Sequence, residues 1–187
     1  LLIVLDAVRK DHLSCYGHER ETTPNLDAVA DEAIRYNSAI AAAPWTPPSH
    51  ASLFTGKYPS NHRVFGTQPQ LGEEQPVLAE QINNAGYATF GFSNSHYTSI
   101  ERGFDRGFDY YHDILELPRI FGNMYEFSRE YMRFFWNYFL NGHDISDFQL
   151  RKLKYRIQYS DSPFFGFINL NSAHSPYRPP KQYKQEY

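Results

Sequence analysis

The sequence is poor in cysteine, in long apolar runs and in net charge, and each shortage excludes a class of protein. Its only cysteine, Cys15, cannot form an internal disulfide, which excludes a disulfide-stapled scaffold and leaves the redox compartment open. No apolar run reaches the roughly 18 residues that a membrane-spanning helix requires. The 18 Lys and Arg residues nearly balance the 21 Asp and Glu residues, so no overall basic field favours nucleic-acid binding.

What the chain does have is length and apolar content. Its 187 residues are 41% hydrophobic and 21% charged, which is enough for one domain with a proper core and excludes a disordered chain. The chain begins on LLIVLD without a Met and ends on the polar segment PKQYKQEY. We therefore expect it to be part of a longer protein.

Apolar runs of strand length alternate with helical patterns along the chain. Such alternation predicts a doubly wound, mostly parallel α/β sheet with helices on both faces. The predicted strands are LLIVLD (1–6), NSAIAAA (37–43), YATFGFS (87–93) and PFFGFINLN (163–171). The predicted helices are TPNLDAVADEAIRY (23–36), SHASLFTG (49–56) and VLAEQINNAG (77–86), the last two closed by glycine.

Residues 112–160 break this rhythm and are interpreted as a helical, aromatic-rich insertion. Within it, MYEFSREYMRFFWNYFL repeats aromatic residues at helical spacing, with charged residues between them. This pattern favours an amphipathic helix packed on the domain over a membrane-surface or lipid-binding helix, so membrane association is not indicated. The repeating aromatic residues are Phe127, Tyr131, Phe134, Phe135 and Tyr138.

The stretch APWTPPSHASLFTG (43–56) places a threonine and two prolines before a helical pattern. Pro47 disfavours the α region for Thr46, whereas Pro48 suits a first helical turn. We therefore predict that Thr46 is extended just ahead of a helix that begins at Ser49. Its hydroxyl would face the positive end of the helix dipole, a setting for phosphate or sulfate binding. A proline-rich turn with a threonine cap is the alternative.

Polar side chains follow the predicted strands where each strand ends. Asp6, Thr46, Asn94, His96 and His174 occupy these places, and ligands of open α/β sheets bind outside the carboxyl ends of the strands. Together these groups offer the chemistry for metal-assisted attack on an anionic ester. Taken singly, each has a structural explanation as a cap or a surface histidine.

Six motifs, in order, resemble the amino-terminal half of the sulfatases within the alkaline phosphatase superfamily. The resemblance covers nearly the whole chain except residues 112–160, and it implies an alkaline-phosphatase-like fold of which this chain is an incomplete part. The motifs are LDAVRKDHLSCYG, TTPNLDAVA, TPPSHASLFTGKYP, AGYATFGFSNSHY, RGFDRGFDYY and PFFGFINLNSAHSPYRPP.

The resemblance implies a role for several residues. Asp6 matches a divalent-metal ligand, and Thr46 occupies the nucleophile position, where sulfatases have Cys or Ser in a C/S-x-P-S-R motif. His96 and His174 match two active-site histidines, which makes them candidates for proton transfer to the leaving group and polar support of the ester oxygens.

The sequence also departs from the family pattern. His50 stands where the motif has Arg and Asn94 where a Lys is usual, so these two are candidate substrate-binding residues without the family's fixed positive charges. Ala7 stands where many sulfatases have a second Asp ligand. Sulfatases oxidise their Cys or Ser to formylglycine, an aldehyde that Thr46 could not yield, so we expect direct attack by the Thr46 hydroxyl without formylglycine.

The resulting prediction is a sulfatase-like, metal-dependent hydrolase of sulfate or phosphate esters that attacks a small anionic ester through Thr46. The alternatives are a phosphodiesterase or phosphotransferase of the same superfamily, and a catalytically silent anion-binding module. By family the metal would be Ca²⁺, with Zn²⁺ or Mn²⁺ in the phosphoester branches. The remaining metal ligands are expected beyond Tyr187, so these 187 residues alone should be inactive.

Overall fold

A computed structural model describes residues 1–67, 69–113, 145–175 and 177 of the chain. The helix predicted within residues 124–140 lies outside this range. Four strands form one parallel sheet in the order β1-β4-β2-β3. The predicted parallel sheet is therefore confirmed. The strands are β1 (Leu2–Leu5), β2 (Ala88–Ser93), β3 (Tyr110–Asp113) and β4 (Phe164–Leu170).

The two central strands, β4 and β2, are buried on both faces but differ in sequence pattern. β4 lies between β1 and β2, so Phe167 pairs with Leu2 on one side and Gly91 on the other. Burial on both faces favours apolar side chains in both directions, and β4 is accordingly almost continuously apolar. β2 instead alternates Ala88, Phe90 and Phe92 with Thr89, Gly91 and Ser93, and all of these except Ala88 are buried. β1 is an edge strand, and its residue Ile3 is 53% exposed.

Five α-helices lie in the described residues, and several begin or end on the expected signals. α2 and α4 end near glycines with positive φ, Gly56 at 67° and Gly86 at 88°, and prolines stand in the first turns of α1, α2 and α3. None of the described helices has the length and apolar character to cross a bilayer. The helices are α1 (Pro24–Glu32), α2 (Thr46–Thr55), α3 (Pro59–His62), α4 (Leu78–Asn84) and α5 (Ile145–Gln158).

Helices cover the sheet on both faces through two apolar clusters. On one face, the ring of Phe54 from α2 meets the ring of Phe167 edge-on, with centroids 4.9 Å apart. On the other face, Leu153 from α5 packs with Phe92 and Ile168. Burying each such side chain contributes roughly 2 kcal/mol. Helices on both faces are what the sequence predicted, and α5 comes from the segment interpreted as an insertion.

The chain divides into two compact units. Leu1–Asp6 and Ala42–Tyr187 make up the first unit, which holds the sheet. The second unit is Ala7–Ala41, in which Thr23 and Ser14 exchange hydrogen bonds, with the Thr23 N–H donating to Ser14 Oγ at 2.9 Å.

Two differences from the sequence prediction concern strands. Residues 37–43 form no strand, because the only large apolar side chain in that run, Ile40, is 92% exposed and an alanine-rich run has little else to bury. β3 was not predicted, since its four residues YYHD carry no recognisable pattern and become a strand by pairing with β2.

Candidate active site

Asp6 stands at the carboxyl edge of the sheet, directly after β1. Its backbone N–H donates to the carbonyl oxygen of Leu170 at 2.9 Å, so the pairing of β1 with β4 extends to this residue. The side chain is half-buried. A carboxylate is thereby held at the edge where ligands of open α/β sheets bind.

Helix α2 begins at Thr46, so the predictions that Thr46 is extended and that the helix begins at Ser49 are wrong. The extended residue is Trp45, with φ -145° and ψ 164°. The first N–H groups of a helix have no partner within it, so Pro47 and Pro48 forfeit no hydrogen bond in the first turn. Both prolines are buried.

Thr46 and Asp6 are in direct contact. The Thr46 hydroxyl donates to Oδ2 of Asp6 at 3.1 Å. Residues from two sequence motifs, one at the end of β1 and one at the start of α2, therefore meet at one edge of the sheet. The hydroxyl proton is therefore directed to the carboxylate, which leaves the lone pairs of Oγ1 for other contacts.

The start of α2 has few backbone donors for an anion. Pro47 and Pro48 have no N–H, and the Ser49 N–H donates to the carbonyl of Trp45 at 3.3 Å. The N–H groups that commonly surround a phosphate at a helix start are thus largely missing here. An anion at this position would depend on side chains and on the helix dipole.

His50 lies beneath Thr46 rather than at the surface. It is 3% exposed, its Nδ1 lies 2.9 Å from the carbonyl oxygen of Thr46, and its ring meets the ring of Phe167 edge-on. Burial lowers the pKa of His50, an effect that the Thr46 carbonyl and the Asp6 charge only partly offset. A neutral His50 then donates from Nδ1 to the Thr46 carbonyl, which holds the first turn of α2.

Asn169 is a candidate site residue that the sequence analysis did not single out. It lies on β4, where it pairs with Val4 on one side and Ser93 on the other, and it is fully buried. Its side chain raises the pKa of His50 slightly against the lowering by burial. Within the described part of the chain, neither amide atom of Asn169 makes a well-formed hydrogen bond, nor does Nε2 of His50. A buried amide inside the apolar run PFFGFINLN is the signal that could have identified it.

Asn94 follows β2 and is 8% exposed. Its Nδ2 donates to Oγ of Ser146 in α5 at 3.3 Å, and Ser146 in turn lies 2.8 Å from Oγ of Ser172, after β4. The side chain therefore belongs to a polar cluster that joins the end of β2 to α5 and to the chain that leaves β4, and of which Asn94 and Ser146 are buried.

The two candidate histidines are exposed. His96 begins a short 3-10 turn, His96–Thr98, and its Nε2 lies 3.5 Å from a guanidinium nitrogen of Arg102. His174 lies in the turn after β4, with its N–H donating to the carbonyl of Asn171 at 3.0 Å. Both imidazoles are open to solvent, so a ligand at this edge of the sheet could reach them.

The oxygen donors present suit a hard divalent cation. The Asp6 carboxylate and the Thr46 hydroxyl lie side by side, and carboxylate and hydroxyl oxygens are ligands that Ca²⁺ and Mg²⁺ accept. In the described residues, no three His, Cys, Asp or Glu side chains gather as a cation site would require. Asp6 and Thr46 would thus supply part of a ligand set.

Comparison with solved structures supports the fold. The phosphonate monoester hydrolase of Agrobacterium radiobacter is 22% identical, with a TM-score of 0.73. The match covers 100% of this chain and 43% of that one. A protein solved with its substrate D-glucosamine-2-N,6-O-disulfate is 20% identical, with a TM-score of 0.74. That match covers 97% of this chain and 36% of the other. The C-terminal periplasmic domain of EcEptC from Escherichia coli, solved with Zn, is 20% identical, with a TM-score of 0.65. That match covers 100% of this chain and 48% of the domain. The alkaline-phosphatase-like fold is therefore confirmed.

Comparison with curated sequences points to the same group of proteins. An ulvan-active sulfatase of Formosa agariphila is 29% identical over 99% of this chain and 37% of its own length, so the chain spans well under half of that relative. The model of the Sulfatase family matches residues 1–187 in full. The resemblance that the six motifs carry is thus confirmed, and the chain belongs to the Sulfatase family.

Proposed function

We propose that the intact protein hydrolyses sulfate or phosphate esters and that Thr46 is its nucleophile. The observation that carries the proposal is the 3.1 Å hydrogen bond from the Thr46 hydroxyl to Asp6, at the sheet edge where ligands of this fold class bind. Family membership supports the reaction class, and the solved neighbour with a sulfated sugar supports a small anionic ester as substrate.

The proposed reaction has two steps. The Thr46 oxygen attacks the sulfur or phosphorus atom, a bond from Oγ1 to that atom forms, and the bond to the leaving oxygen breaks. Asp6 orients the hydroxyl and accepts its proton, which then passes to solvent, while His96 supplies a proton to the leaving oxygen. In the second step water attacks the sulfur or phosphorus atom and gives a proton to His96, and the bond from that atom to Oγ1 breaks. Oγ1 takes a proton from solvent through Asp6, which restores the hydroxyl as sulfate or phosphate leaves.

Three further groups have supporting roles in this proposal. His174 is a candidate donor to the ester oxygens, and Asn94 lines the same edge of the sheet. His50 fixes the carbonyl of Thr46, so that the hydroxyl points in one direction. A divalent cation held by Asp6 and Thr46 would favour the ionised hydroxyl and offset charge on the ester oxygens.

Replacement of Thr46 tests the proposal in the intact protein. We expect Thr46→Ala to abolish turnover of aryl sulfates, aryl phosphate monoesters and phosphodiesters with the fold retained, and Thr46→Ser to keep part of it. Mass spectrometry should find a sulfate or phosphate adduct on the Thr46 peptide when the second step is slowed. Thr55→Ala, at the other end of the same helix, is the matched control because its hydroxyl bonds only locally. It donates to the carbonyl of Ala51 at 2.6 Å and accepts from the Lys57 N–H at 3.2 Å.

The outcomes separate the alternatives. Full activity of Thr46→Ala would remove Thr46 as the nucleophile. An adduct that passes to an added alcohol faster than to water would indicate a phosphotransferase. Binding of the anion without an adduct or turnover would indicate a silent module.

A further inference from the structure

We propose that Trp45, Tyr97 and Arg102 form a binding subsite, here called the ring subsite, for a leaving group that contains a six-membered ring with an anionic substituent. The inference rests on the proposed function, because it places the leaving group beside Thr46. It adds the chemical class of the alcohol from which the sulfate or phosphate is removed.

Trp45 brings an exposed aromatic ring next to the nucleophile. It directly precedes Thr46, its backbone is extended, and its side chain is 39% exposed. The indole meets the ring of Tyr97 at a centroid distance of 6.0 Å and an angle of 78°. Two rings in this arrangement form a corner against which a third ring can pack.

Tyr97 is held in place by its own turn. It lies in the 3-10 turn His96–Thr98, where its N–H donates to Oγ of Ser95 at 3.3 Å, and its side chain is 45% exposed. The Tyr97 ring also contacts the His96 ring at 6.0 Å between centroids. Two exposed aromatic side chains thus lie together with the histidine that is proposed to protonate the leaving oxygen.

Arg102 adds a permanent positive charge to the same place. Its guanidinium carbon lies 5.7 Å from the centre of the Tyr97 ring, and one terminal nitrogen donates to the carbonyl of Pro69 at 2.9 Å. Among the residues that the structure describes, no carboxylate pairs with Arg102. An anchored cation without an acidic partner, beside exposed rings, favours an anionic ligand with an apolar ring face.

Two kinds of leaving group share this chemistry, an acidic pyranose sugar and an aromatic acid. Both present a ring face to Trp45 and Tyr97 and an anion to Arg102. A small alkyl alcohol has neither feature, so it would gain nothing from the ring subsite. The substrate would then be an ester of such a ring rather than of a short aliphatic alcohol.

Binding of the free alcohol tests this inference without any turnover. The intact Thr46→Ala protein is titrated with glucuronate, glucose, 4-hydroxybenzoate and glycolate, with calorimetry for affinity and tryptophan fluorescence as a second signal. We expect one of the two ring anions to bind at least tenfold more tightly than glycolate, which has no ring. Which of the two binds more tightly distinguishes the sugar from the aromatic acid.

Single replacements then assign the affinity to the subsite. Tyr97→Ala should weaken binding of the ring anion about threefold to tenfold, the range for one aromatic pair, and Arg102→Gln should abolish the preference for glucuronate over glucose. Trp45→Phe should keep binding but lose the fluorescence change. Tyr87→Ala is the matched control, since Tyr87 is similarly exposed at 42%.

Two results would overturn the inference: ring anions that bind no more tightly than glycolate, or a Tyr97→Ala protein that matches Tyr87→Ala. Failure of the proposed function is a separate result, because the titration does not need Thr46. A protein that binds the ring anion but never forms the Thr46 adduct keeps the subsite and loses the nucleophile.

Discussion

Thr46 and His50, one helical turn apart in α2, have opposite surroundings. Thr46 is half-buried and directs its hydroxyl to Asp6, whereas His50 is 3% exposed and bonds the carbonyl of Thr46 from below. The position at which the family motif has Arg is therefore occupied by a neutral, buried side chain. Its contacts are those of a residue that positions Thr46.

The contact between Asp6 and Thr46 leads to a prediction about metal binding. Asp6→Asn in the intact protein should weaken binding of the divalent cation and lower activity together, because a hard cation loses a charged oxygen ligand, an effect of about tenfold to a hundredfold. Calorimetric titration with Ca²⁺, Mn²⁺ and Zn²⁺ measures the affinity. Unchanged affinity would leave Asp6 as a strand-end cap only.

Restoring the family arginine tests the surroundings of His50. His50→Arg should lower the free energy of unfolding by about 3 kcal/mol or more, because a longer, charged group would enter a closed space beside Phe167. His50→Gln, which is smaller and neutral, should lose less. Thermal unfolding of both variants measures the difference. An Arg variant as stable as the parent and with higher activity would instead support His50 as a substrate-binding position.

At the scale of elements, the loop that leads into β3 packs closely against α4 through its second RGFD sequence, residues 106–109. Arg106 pairs with Glu80 at 2.8 Å and donates to the carbonyl of Gly72. Gly107 has φ +80°, and a Cβ there would lie 2.1 Å from the backbone nitrogen of Glu80. α4 can approach this loop only because the loop has no side chain at residue 107.

Two glycine replacements separate backbone strain from steric overlap. Gly86→Ala places a side chain at φ +88° in open space and should cost about 1 kcal/mol of unfolding free energy. Gly107→Ala adds the overlap with α4, so it should cost more than about 3 kcal/mol. Denaturant unfolding of both variants measures the two values. Equal losses would mean that α4 moves away freely.

At the scale of the whole molecule, acid should destabilise the fold through buried histidines. Burial lowers the pKa of His50, His62 and His112, that of His112 to about 4 from an ordinary 6.5. The unfolded state therefore binds more protons than the folded state between these two values. The stability contributed by neutral His112 is complete above pH 6.5 and is lost as the pH falls to about 4.

For His112 this loss amounts to about 3 kcal/mol between pH 7 and pH 4, from a pKa difference of 6.5 minus about 4. Denaturant unfolding at several pH values should show a shallower decline in His112→Asn than in the parent protein. His12→Asn, which replaces an exposed histidine, is the control and should keep the parent's slope. The same slope in all three proteins would contradict the prediction.

The sequence by itself determined the central strands and the residues at their ends. LLIVLD, YATFGFS and PFFGFINLN are mostly apolar runs of strand length, so strands there and Asp6 at a strand end could be read locally, although β1 is an edge strand with Ile3 53% exposed. The ordered motifs further determined the family, since each is a contiguous run of residues.

Only the tertiary structure decided the features that depend on distant partners. β3 exists because it pairs with β2, Thr46 meets Asp6 although 40 residues separate them in the chain, and His50 is buried because it packs against Phe167. The contact of Trp45 with Tyr97 joins residues far apart in the chain. Apolar patterns report what each segment must bury, whereas the order of strands in the sheet decides which side chains meet.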